Sequence, residues 1–244
     1  MTSQEADELT IPGILARAAR RHGDATAVED GSLTLSFSGL EAASIEAAAG
    51  FVAAGIGRGD RVGIWAPNQA AWIVAAIGAQ TVGAAIIPLN TRLKGREAGD
   101  ILRRSRARAL FTVGEFLGTR YPELLEAEAL PDLALTVLLD AATVPGTGHA
   151  RRTVGWRDFL DRGRAVPSDE PLRLRAALRG QDLADIMFTS GTTGRPKGVM
   201  SAHEQNVRPL PRGASSSGLR AATGTSSSTR SSTPLATRRA GSPA

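Results

Sequence analysis

Phe188-Thr189-Ser190-Gly191-Thr192-Thr193-Gly194-Arg195-Pro196-Lys197-Gly198-Val199-Met200 is the stretch on which the reading of this chain turns. Positions 189–194 hold four small hydroxyl residues and two glycines, and a lysine follows at 197. Glycine lets backbone N–H groups come close to an anion, hydroxyls donate to phosphate oxygens, and an ammonium adds positive charge. The apolar run from Leu183 to Phe188 predicts a buried strand that delivers the loop to a fixed place. Together these features predict a phosphate cradle. Composition alone also fits a flexible Gly/Thr hairpin between two strands, because Gly, Ser and Thr are ordinary turn residues.

The spacing is not that of the common P-loop, which needs glycine directly before its lysine and Ser or Thr directly after it. Here Pro196 precedes Lys197 and Gly198 follows. Gly55, Gly57 and Gly59 miss the dinucleotide spacing G-x-G-x-x-G and are expected to end a helix and start a strand. A cysteine nucleophile and a G-x-S-x-G elbow are both missing from the chain.

The string Thr-Ser-Gly-Thr-Thr-Gly-x-Pro-Lys-Gly resembles the signature loop of the AMP-forming adenylate synthetases, the superfamily of acyl-CoA ligases, luciferases and peptide-synthetase adenylation domains. All ten positions fit, with Arg195 at the variable one. The resemblance continues backwards through Trp65-Ala66-Pro67-Asn68, a hydrophobic helix, and Ile87-Pro88-Leu89-Asn90-Thr91-Arg92. Phe116-Leu117-Gly118 and Ala202-His203-Glu204-Gln205 are similar to actinobacterial ligases that activate the indanedione propionate left by steroid degradation.

The resemblance implies an α/β fold, the N-terminal part of the adenylate-forming enzyme, with helices layered on a largely parallel sheet. It implies that the loop holds the ATP triphosphate through Thr189, Ser190, Gly191, Thr192, Thr193, Gly194 and Lys197. Magnesium would bridge phosphate oxygens without protein ligands from this chain, and coenzyme A would be the second substrate. A small-molecule carboxylic acid would attack the α-phosphate to give an acyl-adenylate, and the thiol of coenzyme A would then displace AMP. His203 stands where the family often has Ser-His, although Ala202 replaces the serine and Gln205 a frequent asparagine; it is the candidate catalytic residue. The family's adenine and ribose contacts, hinge and C-terminal lysine fall beyond the point where resemblance ends. The chain as written is therefore expected to be an inactive fragment with exposed sheet edges.

Charge is unevenly spread. The chain has 29 basic and 24 acidic residues and a pI near 10.8. Six arginines (208, 212, 220, 230, 238, 239) and no acid lie in 207–244, so the other 23 basic residues meet all 24 acids in 1–206. The expected organisation is an incomplete AMP-binding domain over 1–206 and a disordered basic Ser/Arg/Thr/Pro-rich tail over 207–244. The tail holds nine serines and five threonines without an aromatic, too little apolar surface to offset its ordering entropy. Its composition is what a GC-rich gene yields out of frame. With permissible codons, Ser226 to Gly241 can read L-V-V-N-P-F-F-H-T-A-G-Y-K-A-G in an adjacent frame, similar to the family's next core motif. A frameshift product is the expectation. Arginines without lysines or aromatics do not predict specific nucleic-acid binding. The alternative function is a non-catalytic nucleotide-binding or regulatory protein with a basic tail.

Zero cysteines exclude disulfides and thiolate zinc sites, and fit the cytoplasm. The acidic start Met1 to Thr10 is no signal peptide. Ala70 to Leu89 is long enough to span a bilayer, but Gln80 and Thr81 at its middle predict instead a buried helix, a turn near Gly83 and a strand from Ala84. Other expected elements are a helix over 14–21, strands over 26–29 and 33–37 around an Asp30-Gly31 turn, and an alanine-rich helix from an N-cap at Ser38 boxed by Glu41. Strands over 61–65, 109–113 and 135–139 follow, with helices over 97–105 and 122–128. Residues 140–152 and 162–171 read as loops. The sequence leaves oligomeric state open.

Overall fold

The computed structural model describes residues 9–142, 152–189 and 196–208. The expectations for the tail beyond residue 208 lie outside the described residues. Helix α1 spans Ile11–His22, with the Thr10 hydroxyl accepting from the Gly13 N–H at 3.1 Å and Pro12 in its first turn, where no N–H is needed. Strands β1 (Thr26–Asp30) and β2 (Leu33–Ser36) pair antiparallel around Gly31, which has φ +59°. Asp30 does more than turn the chain: its carboxylate accepts from the Ala70 N–H at 2.8 Å, the start of the next but one helix.

Helix α2 spans Phe37–Ala53, two residues longer at its start than the Ser38 cap predicts. Ser36 is extended, so its hydroxyl reaches the Gly39 N–H at 3.0 Å and takes the capping role. Glu41 instead reaches Arg175, 2.6 Å away. The 70–89 segment resolves as expected into α3 (Ala70–Thr81), Gly83 at φ +80°, and β4 (Ala85–Pro88). Gln80 is buried and donates to the Ala184 carbonyl at 3.1 Å, so its polarity is used inside the fold. Among the described residues no helix is long and apolar enough to cross a membrane.

Strand β3 (Arg61–Trp65), α4 (Gly95–Ser105) and β5 (Ala109–Thr112) follow their predicted places. The two-residue strands β6 (Glu115–Phe116) and β7 (Thr119–Arg120) form a hairpin, and the expected 122–128 helix is a single turn, α5 (Tyr121–Leu124). Pro122 favours that first turn, but the apolar spacing after it does not repeat. Then come β8 (Leu135–Leu138), β9 (Arg152–Gly155), α6 (Trp156–Gly163) and α7 (Glu170–Ala176). Neither β9 nor α6 was legible beforehand, and α7 begins within the expected 162–171 loop. The described chain closes with β10 (Leu183–Thr189), β11 (Lys197–Ala202) and α8 (His203–Val207).

Seven strands form one sheet in the order β11-β10-β4-β3-β5-β8-β9. All neighbours are parallel except β10 and β11. The largely parallel α/β expectation therefore holds. Both faces of the sheet are covered. On one, Phe111 of β5 meets Phe51 of α2 and Phe159 of α6, with ring centroids 4.9 and 5.1 Å away. On the other, α4 approaches Gly63 so closely that a Cβ there would lie 2.6 Å from Leu102. Helices α2 and α6 cross at Gly50 and Gly163, where a Cβ on Gly163 would lie 2.7 Å from the Gly50 nitrogen. Three large apolar side chains on the hairpin at the sheet edge, Met187, Val199 and Met200, are 47%, 51% and 66% exposed.

The Phe116-Leu117-Gly118 string is the turn of the β6–β7 hairpin. Phe116 pairs with Thr119, and the two residues between have φ +50° and +75°. A two-residue turn with both φ positive favours Asn-Gly, whereas Leu117 is 87% exposed and carries the strain of a left-handed backbone without compensating burial. Leu117→Asn should therefore raise stability by about 1 kcal/mol in urea unfolding; a fall of that size would show that Leu117 is held by contacts rather than merely tolerated.

Candidate functional site

The parallel register sends the carboxyl ends of β4 and β10 to the same edge of the sheet. An open groove of about 1340 Å³ lies there, lined among others by Asn90, Arg92, Arg96, Phe188, Thr189 and Pro196. One wall is the segment after β4. Two buried aromatic donors fix its backbone: the Trp65 indole donates to the Asn90 carbonyl at 3.0 Å, and the Tyr121 hydroxyl donates to the Thr91 carbonyl at 2.9 Å. The two rings meet edge to face at 4.6 Å. Burial pushes the Tyr121 hydroxyl pKa up, which keeps its proton available for that bond. The Asn90 side chain accepts from the Arg92 N–H at 2.9 Å and turns the chain toward α4.

The charges around the groove divide into paired and unpaired. Glu97 accepts from the Lys94 N–H at 2.8 Å, and Arg103 bonds Glu128 at 2.8 Å. Among the described residues no ion pair engages Arg92 or Arg96, so both guanidinium groups remain available to an anion.

The other wall is the β10–β11 hairpin. Of the residues predicted to hold triphosphate, Thr189 and Lys197 are register partners at its loop end, and both are exposed. Ser190, Gly191, Thr192, Thr193 and Gly194 lie outside the described residues. A hydroxyl and an ammonium thus stand side by side on adjacent strands beside a groove edged by two arginines. This arrangement can bind a polyanion. Among the described residues no group of three His, Asp or Glu side chains is placed to hold a metal ion.

His203 lies past the opposite end of β11, about 20 Å along the strand from Lys197. The structure does not bring it to the groove. It is fully buried, its Nδ1 accepts from the Ile11 N–H at 3.4 Å, and Nε2 has no partner among the described residues. An accepting Nδ1 assigns the neutral ring's proton to Nε2. Around it Asp182 takes a salt bridge from Arg58 at 2.6 Å, and the Asp182 carbonyl accepts from the His203 N–H at 3.0 Å. The imidazole thereby ties α1 to the start of α8. Nothing in the sequence distinguishes that buried position from a position on a site.

A hairpin at the carboxyl edge of a largely parallel sheet, across a groove from two arginines, defines an α/β domain with an open groove at that edge. Comparison with known proteins assigns that class. Residues 15–226 match the AMP-binding enzyme family, a span that runs past the Asn206 boundary read from composition. The chain is 42% identical over 204 residues to the 3-[(3aS,4S,7aS)-7a-methyl-1,5-dioxo-octahydro-1H-inden-4-yl]propanoyl:CoA ligase of Rhodococcus jostii, covering 81% of this chain and 38% of that enzyme. The ligase of the same name from Mycobacterium tuberculosis is 40% identical over 201 residues, with 82% and 38% covered. Among solved structures, the anthranilate CoA ligase AuaEII in complex with anthranoyl-AMP superposes with a TM-score of 0.63 at 26% identity, covering 80% of this chain and 35% of that one. The chain belongs to the AMP-binding enzyme family. It spans about four-tenths of the length of the ligases it matches.

Burial lowers the His203 pKa from the ordinary 6.5 to about 4, the desolvation outweighing the nearby Asp182 carboxylate that favours the cation. The unfolded chain therefore takes up a proton that the folded chain refuses between those values. Stability supported by the neutral ring is complete above pH 6.5 and is lost as pH falls toward 4, by about 3 kcal/mol in all. Urea unfolding of the parent and His203→Gln from neutral pH down to pH 4 should show the steeper loss in the parent; identical pH dependence would exclude a buried neutral imidazole.

Proposed function

We propose that this chain is the N-terminal part of an acid–thiol ligase, contributing the triphosphate site to a reaction that activates a carboxylic acid with ATP and transfers the acyl group to coenzyme A. The observation that carries this reading is the Thr189–Lys197 pair, which opens and closes the signature loop string at the carboxyl edge of the sheet. Thr189, Ser190, Thr192, Thr193 and the loop N–H groups would receive phosphate oxygens, and Lys197 would offset the charge that develops on the departing pyrophosphate. Magnesium would arrive with ATP. The attacking carboxylate is already a nucleophile, so the chain's contribution is positioning and charge. The acid to test first is an indanedione propionate, because the ligases at 42% and 40% identity are named for one.

The groove is open, and Met187, Val199 and Met200 on the hairpin are exposed. The ligases this chain matches are roughly twice as long, and the match covers 38% of each. We therefore assign the 244 residues alone nucleotide binding without turnover. We also propose that within 207–244, past the family match that ends at 226, the chain becomes an out-of-frame translation of a cytoplasmic ligase; a nucleotide read in which the adjacent frame lacks an N-P-F-F-H string would refute that.

Titration calorimetry of the purified chain with Mg·ATP should show saturable binding. Lys197→Met should weaken it at least about tenfold, the loss of a charge-assisted contact. Equal affinity in the variant would remove the lysine from the site. Incubation with ATP, acid and coenzyme A should give no acyl-CoA, and its appearance would overturn the fragment reading.

A further inference from the structure

Arg104 belongs to none of the motifs above. It stands in the last turn of α4 and reaches both strands of the hairpin. Its Nη1 donates to the Pro196 carbonyl at 2.7 Å, and its guanidinium carbon lies 5.2 Å from the centre of the Phe188 ring. Phe188 immediately precedes Thr189, and Pro196 immediately precedes Lys197. One side chain thus grips the residue before each member of the proposed phosphate-binding pair.

The surroundings support that grip. Asp100, one turn back on α4, accepts from the same Nη1 at 3.4 Å and holds the guanidinium toward the hairpin. Phe188 pairs across the ladder with Gly198, where an added Cβ would lie 3.2 Å from the tip of the ring. The glycine after Lys197 leaves room for the ring on which Arg104 rests. The need for such a clasp follows from the topology. Among the described residues strand β11 is the outermost and pairs on one side only, with β10, so within them its loop end gains no support from a further strand. A planar guanidinium can stack on a ring and donate in its own plane at once, which an ammonium cannot.

We propose that Arg104 is a positioning residue: by clasping Phe188 and Pro196 it fixes the spacing of Thr189 and Lys197, and so holds hydroxyl and ammonium in register for a polyphosphate. This rests on the nucleotide reading above. Its contribution is geometric and distinct from the charge that Arg104 carries.

The experiment uses the 244-residue chain and the variants Arg104→Ala, Arg104→Lys and Phe188→Leu, with two readouts. Without ligand, hydrogen exchange of peptides over 187–189 and 197–200 should accelerate about tenfold in Arg104→Ala, while β3 and β5 keep their protection and report an intact core. With ligand, Arg104→Ala should weaken Mg·ATP binding about tenfold. Arg104→Lys should recover less than about a third of that loss and leave the salt dependence of binding unchanged, because it restores charge without the fork. Phe188→Leu should move both readouts the same way. Full recovery by lysine, or unaltered exchange in Arg104→Ala, overturns the proposal. Absence of Mg·ATP binding by the parent would instead refute the nucleotide reading, and the exchange data would still decide whether Arg104 clasps the hairpin.

Discussion

Parallel pairing of β10 onto β4 is the constraint on which the site depends. Parallel strands end on the same side, so the segment leaving β4 and the loop leaving β10 must emerge together, however far apart they lie in sequence. Their joint is short in backbone terms. It is reinforced by the buried Gln80 amide, which carries a hydrogen bond from α3 to the Ala184 carbonyl. A polar group that looks out of place in an apolar run is there to hold the hairpin strand against the sheet.

The same sheet sets the demand for small residues. With helices on both faces, its strands are nearly continuous in apolar character, and β3 and β5 are almost wholly buried. Helices can cover such a sheet only if their backbones come close. Gly63 yields to Leu102, Gly50 yields to Phe159, Gly163 yields to the Gly50 backbone, and Gly78 faces Ala47 at a distance that leaves no room for a methyl group. Alanine-rich stretches elsewhere in α2 and α3 serve the same economy of volume. The aromatic residues, few in this chain, are concentrated where they bind layers together: Phe51, Phe111 and Phe159 in the core, Trp65 and Tyr121 under the groove wall.

On the proposed function, this frame contributes position and charge and no reacting side chain. Two aromatic donors set the wall after β4, and a hairpin carries the loop whose hydroxyls and lysine would meet phosphate. A catalytic base or nucleophile is not required when the attacking group is a carboxylate. That fits a chain without cysteine in which the one buried histidine near the motif is turned toward the N-terminal helix.

The sequence by itself determined the elements with strong local physics. The apolar runs expected as strands over 61–65, 84–89 and 109–113 and the Gly83 break read correctly, to within a residue at the ends, because each depends on residues close in the chain. The hydroxyl-glycine-lysine string over 189–198 also pointed to the family, which the match over residues 15–226 bears out. Tertiary structure decided the rest. Ser36 capped α2 in place of Ser38 because the extended backbone at Ser36 put its hydroxyl within reach of Gly39, and Glu41 was drawn to an arginine 134 positions away. Short α6 and β9 carried too few periodic residues to stand out and are held by the core beside them. Whether His203 faced a site or a core, and whether Arg104 was one more surface charge or a clasp on the loop, depended on contacts across 192 and 92 positions of sequence. Such contacts leave no local pattern, because it is the sheet, not the neighbouring residues, that brings their partners together.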